Sequence, residues 1–365
     1  MKIFEKPPRR LFILTYVLVF LGLILLFSAS KGTFLRAKGI FQDTGGVFFW
    51  QQLIWVILGS LGLLVGKRFP YWNFKRLVWV LYPLIILLLI LVLVMGQGKA
   101  SRWIRVGPLN FQPAEFGKVV LIFSLAAYLT ERNVNQLGVF IWSLLITGVP
   151  AVLIFKQPNL GTSFIFLLVC LVIMYQAGLT RRRLLTIVLV ALFISPLLWL
   201  TLESYQKERI LTFLWPQRDP LGRGYNLLQS KITIGSGGLI GKGYLHGTQT
   251  KLAFLPEYHN DFIFCLLAEE FGLIGVIIFF GLYYLFLNEI LTIISSTRDE
   301  FARLVAAGIF ALFFFHATVN ISMTLGLFPV AGIPLPFISY GGSFMLVALF
   351  CVGVLANIQE NAVMF

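Results

Sequence analysis

The amino-acid sequence predicts an all-α polytopic membrane protein with ten transmembrane helices and one long polar loop. Of the 365 residues, 58% are hydrophobic and only 12% are charged, whereas soluble domains carry about 25% charged residues. Apolar runs of ~20 residues, the length that crosses a bilayer, recur along the whole chain. The sequence leaves no room for a separate soluble domain, so we expect a single integral membrane domain over residues 1–365.

Ten apolar runs define the expected transmembrane helices. The runs cover residues 11–30, 48–66, 77–96, 114–131, 138–155, 161–178, 184–202, 261–294, 301–325 and 341–359. The eighth run is longer than a minimal span, which predicts a helix that is tilted or extends beyond the bilayer. A polar loop over about 203–260 precedes it. Residues 328–339 are rich in Pro and Gly and predict irregular backbone, which at membrane depth must be buried in protein or line a cavity.

Basic residues indicate the orientation of the chain. With the N-terminus inside, the inner segments hold twice as many Lys and Arg residues as the short outer loops. The positive-inside rule therefore places both termini in the cytoplasm. The first apolar run resembles a signal peptide, but its length and the spans after it favour an uncleaved helix. The long loop is also basic, which suits either a lipid that carries a diphosphate or ordinary contact with anionic headgroups.

The composition argues against several classes of function. A net charge of +14 suggests nucleic acid in a soluble protein, but here no solvated domain carries a basic face. Cys170, Cys265 and Cys351 lie in separate apolar runs and predict neither a disulfide framework nor a metal site. The glycine-rich segment 235–243 lacks the required Gly and Ser/Thr positions of nucleotide-binding loops. We interpret it as close-packed backbone.

The strongest candidate for catalysis is Asp261. It ends a polar stretch that also holds Glu257 and His259, just before the eighth apolar run. Pro256 can start a helix, and Asp261 would then lie in the early turns, where the positive helix end favours a carboxylate. A carboxylate that stays ionised and can accept a proton is suited to general-base chemistry. The alternative is that Asp261 only caps the helix or binds a neighbouring group.

Three further sites combine polar side chains with apolar surroundings. Glu115 and Lys118 share one helix face, and each charge alone would cost ~2.5–3.5 kcal/mol at mid-membrane. They should therefore either pair with each other or face a watery cavity, and a pair could be purely structural. Asn159 lies in a sharp polar turn between the fifth and sixth runs, which is a binding site or simply a loop. His316 and Asn320 form a polar stripe on the ninth run, suited to interhelical hydrogen bonds or to lining a substrate cavity.

These motifs together resemble the SEDS family (shape, elongation, division, sporulation) over nearly the whole chain. Gly247-Thr-Gln249 is closer to the elongation-type members than to the division-type members. The matching motifs are Ser28-Ala-Ser30, Arg102-Trp103-Ile104, Phe111-Gln-Pro-Ala-Glu115 with Lys118, Gln157-Pro158 with Leu160-Gly-Thr162, Asp219-Pro-Leu-Gly222, Gly224-Tyr225, Gln229-Ser230, Ile234-Gly-Ser-Gly-Gly238, Gly241-Lys-Gly243, Leu255-Pro-Glu257, His259, Asp261-Phe-Ile-Phe264, Glu269-Glu270, Pro329-Val330, Gly332-Ile-Pro-Leu-Pro336 and Ser339-Tyr-Gly-Gly342.

The resemblance implies an activity. Members of this family are glycosyltransferases of the bacterial cytoplasmic membrane that polymerise lipid II into peptidoglycan. The family's essential aspartate matches Asp261, which would act as the base on the acceptor sugar hydroxyl while undecaprenyl diphosphate leaves. The resemblance further implies a class B penicillin-binding protein as partner and no nucleotide. It also implies a divalent cation, Mg²⁺ or Mn²⁺, near the diphosphate, for which the sequence shows no ligand cluster.

Roles for the other residues follow from the same resemblance. Lys118 is expected to contact the diphosphate, Arg102 and Arg209 to contact phosphate at the outer face, and Trp103 to anchor the polyprenyl chain or a sugar near the interface. Glu257 and His259 are expected to orient or tune Asp261. The predicted substrate-binding residues are Lys118, Glu115, Glu257, His259, Arg102, Trp103, Arg209, Asn159, His316 and Asn320.

The chain departs from the family pattern at three positions. Tyr258 stands where the family usually has Arg, and Asn260 where it has Thr. Asn159 stands where an Asp is common, so Lys118 cannot form a salt bridge there and must use Glu115 or a substrate phosphate. Two alternative functions stay open, a lipid II flippase and a scaffold that recruits a transpeptidase.

Overall fold

The computed structural model describes residues 8–31, 33–35, 40–42, 46–95, 102–106, 109–218, 224–252, 254–255 and 258–361. Helices dominate the described chain. They are α1 (Arg9–Ser30), α2 (Val47–Arg68), α3 (Tyr71–Met95), α4 (Pro113–Leu129), α5 (Leu137–Lys156), α6 (Leu160–Gln176), α7 (Arg181–Thr201), α8 (Ser204–Leu214), α9 (Tyr225–Ser236), α10 (Thr248–Lys251), α11 (Ile263–Ser296), α12 (Glu300–Thr324) and α13 (Gly342–Asn361).

Two small antiparallel hairpins precede α2 and α4, and the sequence did not predict them. The first pairs β1 (Thr33–Leu35) with β2 (Ile40–Gln42), and the second pairs β3 (Ile104–Val106) with β4 (Leu109–Phe111). Each strand has only three residues, too few to show a period-two pattern. The predicted long loop likewise contains regular structure, because α8, α9 and α10 lie within it.

Seven helices in the described chain are long and apolar enough to cross a membrane: α1, α2, α3, α5, α11, α12 and α13. Each coincides with a predicted span, so the class of helical polytopic membrane protein is confirmed. The other three predicted spans fall on α4, α6 and α7. Both α4 and α6 have 17 residues, slightly fewer than a full span needs. The count of ten spans, the orientation of the termini and the single-domain boundaries remain predictions.

Helices α12 and α13 form the centre of the bundle and are its most buried long helices. On one side, α2 packs along α13 at very short range. A Cβ atom at Gly66 would lie 2.7 Å from the Phe350 carbonyl oxygen, and one at Gly353 would overlap the Leu63 carbonyl. Small residues at such contacts allow helix backbones to approach closely in a membrane. On the other side, α12 contacts α4, α6 and α11.

Helix α11 is broken near its beginning, which corrects the expectation of one long tilted span. Gly272 has φ 63° and ψ −163°, a backbone conformation that is essentially restricted to glycine. The break separates a short first segment, residues 263–271, from a long second segment, residues 273–296. The short segment begins two residues after Asp261, so the candidate site sits at the end of this separate piece of helix.

The glycine-rich segment 235–243 supplies hydrogen-bond partners for the backbone groups at the break in α11. In a continuous helix, the amides of residues 273 and 274 would donate to the carbonyls of residues 269 and 270. Here all four groups bond to the glycine-rich segment. The bonds are Lys242 N to Glu269 O (2.9 Å), Gly243 N to Glu270 O (3.0 Å), Leu273 N to Gly238 O (3.0 Å) and Ile274 N to Leu239 O (3.1 Å).

The same contact explains why the segment is rich in glycine. A Cβ atom at Gly237 would overlap the Ala268 carbonyl, and one at Gly241 would overlap the Glu270 carbonyl. The interpretation of this segment as close-packed backbone is therefore confirmed. A buried ion pair between Lys242 Nζ and Glu269 Oε1 (2.7 Å) fixes the segment to the first part of α11.

We expect Gly272→Ala to lower the stability of the protein. A side chain in this conformation costs on the order of 1–3 kcal/mol, and the Cβ atom would also overlap the amide of Gly241. Thermal unfolding in detergent measures the effect. Gly281→Ala is the matched control, because Gly281 lies in the same helix and its Cβ atom would meet nothing within 4 Å. Equal unfolding temperatures for the two variants would contradict the assigned role of the break.

Candidate functional site

Asp261 lies in a turn, residues 258–262, immediately before α11, and its side chain is half-buried. The helix begins at Ile263 with Phe262 as N-cap residue. This corrects the expectation that Asp261 occupies the early turns of the helix. The reason is that the carbonyls of residues 259–261 bond to other parts of the chain and not to the helix. The carboxylate still lies beside the positive end of α11.

The turn is held by α12 and by residues 325–341, the irregular segment between α12 and α13 that we call the strap. Three consecutive carbonyls of the turn accept hydrogen bonds from these two elements. The donors are Tyr340 N to His259 O (3.1 Å), Ser339 Oγ to Asn260 O (2.7 Å) and Asn320 Nδ2 to Asp261 O (3.0 Å). Elements distant in sequence therefore fix the backbone that carries Asp261.

Side chains of α2 and the strap form the wall around the turn. The His259 ring stacks on Phe48, with ring centroids 4.0 Å apart. The Tyr340 hydroxyl donates to Gln51 Oε1 at 2.7 Å, and burial raises the pKa of Tyr340, so the hydroxyl stays protonated. The strap also approaches the carboxylate itself, because a Cβ atom at Gly332 would lie 3.6 Å from Asp261 Oδ2.

A second polar cluster is buried at the start of α4. Lys118 Nζ lies 2.7 Å from Glu115 Oε2, and both side chains are almost completely buried, so the predicted pair forms. Lys118 Nζ also lies 3.0 Å from His316 Nε2. The ring of Phe344 stacks on His316 at 4.4 Å and lies 5.0 Å from Lys118 Nζ. The cluster therefore combines a cation, a carboxylate and an imidazole against one aromatic ring.

Helix α12 joins the two polar regions. His316 and Asn320 are one helical turn apart, and each contacts the strap. His316 Nδ1 lies 3.3 Å from the Pro334 carbonyl oxygen, and Asn320 Nδ2 donates to the Ile333 carbonyl at 2.7 Å. The strap therefore runs along α12 between the Lys118 cluster and the Asp261 turn. The predicted polar stripe on the ninth span thus faces the strap.

Two predicted site residues organise the turn between α5 and α6. Arg102 Nε donates to the Gln157 carbonyl at 2.9 Å, and Arg102 Nη2 donates to the Pro158 carbonyl. Asn159 precedes α6 as its N-cap, and its Oδ1 accepts from the Thr162 amide at 3.4 Å. Both side chains therefore stabilise local backbone. Their expected contacts with substrate stay predictions.

The remaining predicted residues lie apart from these contacts. Trp103 is 44% exposed, as an interfacial anchor should be. Arg209 lies on α8, partly exposed, and within the described chain no hydrogen bond or ion pair joins it to Asp261 or Lys118. Glu257 lies outside the described residues.

Sequence reasoning missed several residues that hold the Asp261 turn. The Tyr258 hydroxyl donates to the Ala29 carbonyl at 2.9 Å, which anchors the turn to the end of α1 and accounts for one departure from the family pattern. Gln52 is buried, accepts from Gly341 N at 3.2 Å and lies 3.3 Å from the Ser339 carbonyl. A polar residue inside an apolar run was the available signal for Gln52. For Ser339 the available signal was its place in the family motif Ser339-Tyr-Gly-Gly342, to which no role was assigned.

An apolar groove of about 330 Å³ lies between α3, α4 and α13. All of its lining side chains are apolar, and they include Leu84, Ile85, Phe116, Val120 and Leu346. Phe116 and Val120 of α4 line this groove, whereas Lys118 of the same helix contacts Glu115 and His316. Among the described residues, no group of three or more His, Cys, Asp or Glu side chains could hold a metal ion.

Comparison with known proteins identifies the class. Residues 9–363 match the FTSW_RODA_SPOVE family of cell cycle proteins. The chain is 37% identical to the peptidoglycan glycosyltransferase MrdB of Escherichia coli, over 97% of this chain and 93% of that protein. It superposes on a chain of a solved peptidoglycan synthase complex, described as coordinating polymerization and crosslinking, with TM-score 0.83, 30% identity and coverage of 98% and 99%.

Thermus thermophilus RodA, a rod shape determining protein, is a further structural relative. Its crystal structure gives TM-score 0.73 and 28% identity, and 98% of each chain is covered. Fold and site thus define a multi-pass membrane protein with a polar centre at one end of the helix bundle. The chain belongs to the FtsW/RodA/SpoVE family, which is the SEDS family that its motifs resemble.

The role of Arg102 can be tested by two substitutions. Arg102→Lys keeps the charge but loses the planar fork that reaches two carbonyls. We expect it to lower the free energy of unfolding by about 1–3 kcal/mol and Arg102→Met to lower it at least as much, both measured by thermal unfolding in detergent. Arg209→Lys is the control and should change it by less than about 0.5 kcal/mol. Wild-type stability of Arg102→Lys would instead favour a phosphate-binding role.

Proposed function

We propose that this protein is an elongation-type peptidoglycan glycosyltransferase that polymerises lipid II, with Asp261 as the general base. One observation carries the proposal. The backbone carbonyl of the half-buried Asp261 and the buried ammonium group of Lys118 both bond to one face of α12, the first to Asn320 and the second to His316. Relatives that span nearly the whole chain are named as peptidoglycan glycosyltransferases.

In the proposed reaction Asp261 removes the proton from the acceptor sugar hydroxyl. The hydroxyl oxygen attacks the anomeric carbon of the donor, and the bond from that carbon to the phosphate oxygen breaks. Undecaprenyl diphosphate leaves with the electron pair. Lys118 neutralises charge that develops on the diphosphate, and such fixed cations are strongest where water is excluded. No nucleotide takes part.

The lipid part of the substrate has a suitable place in this arrangement. The groove between α3, α4 and α13 is wholly apolar and matches a polyprenyl chain chemically. Trp103 would lie at the interface, where indole rings are favoured. No step is assigned to a divalent cation, because the described carboxylates near Asp261 do not form a set of three ligands.

Partner and location follow the same proposal. The protein would act in the bacterial cytoplasmic membrane with both termini inside and Asp261 at the outer face. Its partner would be a class B penicillin-binding protein, which cross-links the new glycan. The similarity to a chain from a complex that coordinates polymerization and crosslinking supports this pairing.

Two other functions are compatible with parts of the structure. A lipid II flippase would also use buried charges and an irregular strap between α12 and α13. A scaffold would only need the surface that binds a transpeptidase. The alternatives differ from the proposed enzyme in their demand on Asp261, because a transporter tolerates Asn there whereas a general base does not.

We expect Asp261→Asn to lose glycan polymerisation. General-base catalysis contributes about 10²–10⁴-fold, so the rate should fall by at least that range. The assay combines purified protein with lipid II in detergent and resolves the polymer on a gel. Polymer made by the wild-type protein alone would exclude the scaffold. A folded Asp261→Asn protein that still polymerises would remove the catalytic assignment.

A separate test concerns Lys118. We expect Lys118→Met to lower kcat/KM by about 10–100-fold, the equivalent of a lost charged hydrogen bond of about 1.5–3 kcal/mol, and to affect substrate use more than folding. The matched control is the double variant Lys118→Met with Glu115→Gln, which removes the unpaired buried carboxylate. The double variant should regain stability without regaining activity. Recovery of both would make the pair purely structural.

A further inference from the structure

We propose that Asn320 and His316 are positioning residues that set Asp261 against Lys118 by holding the strap, and that neither side chain touches the substrate. The inference rests on the proposed function, because it concerns the geometry of that reaction. It differs from the expectation, based on sequence, that both residues bind substrate.

Both amide hydrogens of Asn320 are already used within the protein. Its side chain is completely buried, and Nδ2 donates to two carbonyls, Asp261 O at 3.0 Å and Ile333 O at 2.7 Å. An amide nitrogen carries two hydrogens, so both are taken. Its Oδ1 is buried and accepts no hydrogen bond from the described residues, which costs about 1–3 kcal/mol. The two donated hydrogen bonds join the backbone of Asp261 to the strap.

His316 is also fully used. A protonated Lys118 has only hydrogens to offer, so His316 Nε2 accepts at 3.0 Å. The ring proton then lies on Nδ1, which is 3.3 Å from the Pro334 carbonyl oxygen. One ring face is covered by Phe344. Lys118 is thereby oriented on one side of the ring and the strap on the other.

The strap depends on these donors. Ile333 and Pro334 are consecutive, and their carbonyls are held by two side chains one turn apart on α12. Pro334 has no amide hydrogen, so its carbonyl is its only backbone hydrogen-bonding group. A buried carbonyl without a donor is unfavourable. The neighbouring Gly332 lies against the Asp261 carboxylate. The two side chains therefore fix the positions of the strap and of the Asp261 backbone along α12. We call this relative position the register.

Loss of this register should affect the chemical step and not substrate binding. A displacement of about 1 Å between reacting groups can lower a rate by about 10²-fold. An interaction that only aligns the transition state lowers kcat and leaves KM nearly unchanged. A residue that binds substrate would instead raise KM. The split between kcat and KM distinguishes a positioning role from a binding role.

The first experiment replaces Asn320 by side chains of similar size that cannot donate. For Asn320→Asp and Asn320→Leu we expect kcat for lipid II polymerisation to fall by about 10²-fold, with KM within about 3-fold of wild type, both per folded molecule. Tyr283→Phe is the matched control. This substitution removes the hydrogen bond from the Tyr283 hydroxyl to the Phe313 carbonyl of α12, which is 2.9 Å long. It should lower stability without lowering kcat.

The second experiment separates the two contacts of His316. The amide nitrogen of His316→Asn can replace Nδ1 and keep the bond to Pro334, whereas His316→Gln places its amide where Nε2 meets Lys118. We expect His316→Asn to keep more of the wild-type kcat than His316→Gln, because the strap carries the alignment of Asp261. The opposite order would overturn the assignment of His316 to the strap.

Two outcomes overturn the role of Asn320. Wild-type kcat in both Asn320 variants would show that the register is dispensable, and raised KM with unchanged kcat would show that the side chain binds substrate. The proposed function fails differently, because it is lost if the wild-type protein makes no polymer or if Asp261→Asn remains active. Inactive Asp261→Asn together with fully active Asn320 variants would remove the positioning role and leave the proposed enzyme intact.

Discussion

Satisfaction of backbone hydrogen bonds is the constraint on which this structure depends. In a bilayer, irregular backbone is tolerated only where protein supplies the missing partners. The chain interrupts its helices at the break at Gly272 and at the turn and strap around Asp261. At the first, the glycine-rich segment provides four backbone bonds. At the second, Asn320 and Ser339 provide side-chain donors. At both of these described interruptions another element supplies the missing bonds, and the candidate site is one of them.

The buried charged side chains likewise have partners within the protein. Glu115 and Lys118 neutralise each other in a helix that is otherwise apolar, and His316 and the Phe344 ring complete the surroundings of the ammonium group. A buried pair of this kind adds little net stability. Its value lies in holding a cation at a defined place close to the bundle axis. Glu269 acts similarly near the break, where it binds Lys242 and the amide of Gln249.

The sequence predicted what depends on periodicity and spacing. Long apolar runs identified the helices, and the separation of three residues identified the Glu115–Lys118 pair. Features set by distant partners could not be predicted. Glycine is frequent in membrane helices, so Gly272 did not signal a break, which depends on the backbone of residues 238–243. Arg102 suggested a phosphate contact because its charge is visible in sequence, whereas the carbonyls it binds are not.

The break at Gly272 has a consequence for how the protein meets membranes of different thickness. A continuous helix adapts to hydrophobic mismatch by changing its tilt, and any group at its end moves with it. Here both segments of α11 are bonded to the same glycine-rich segment at the break, and the preceding turn is bonded to α12. A change in the tilt of the long second segment would therefore have to disturb the bonds at the break before it displaced the turn that carries Asp261.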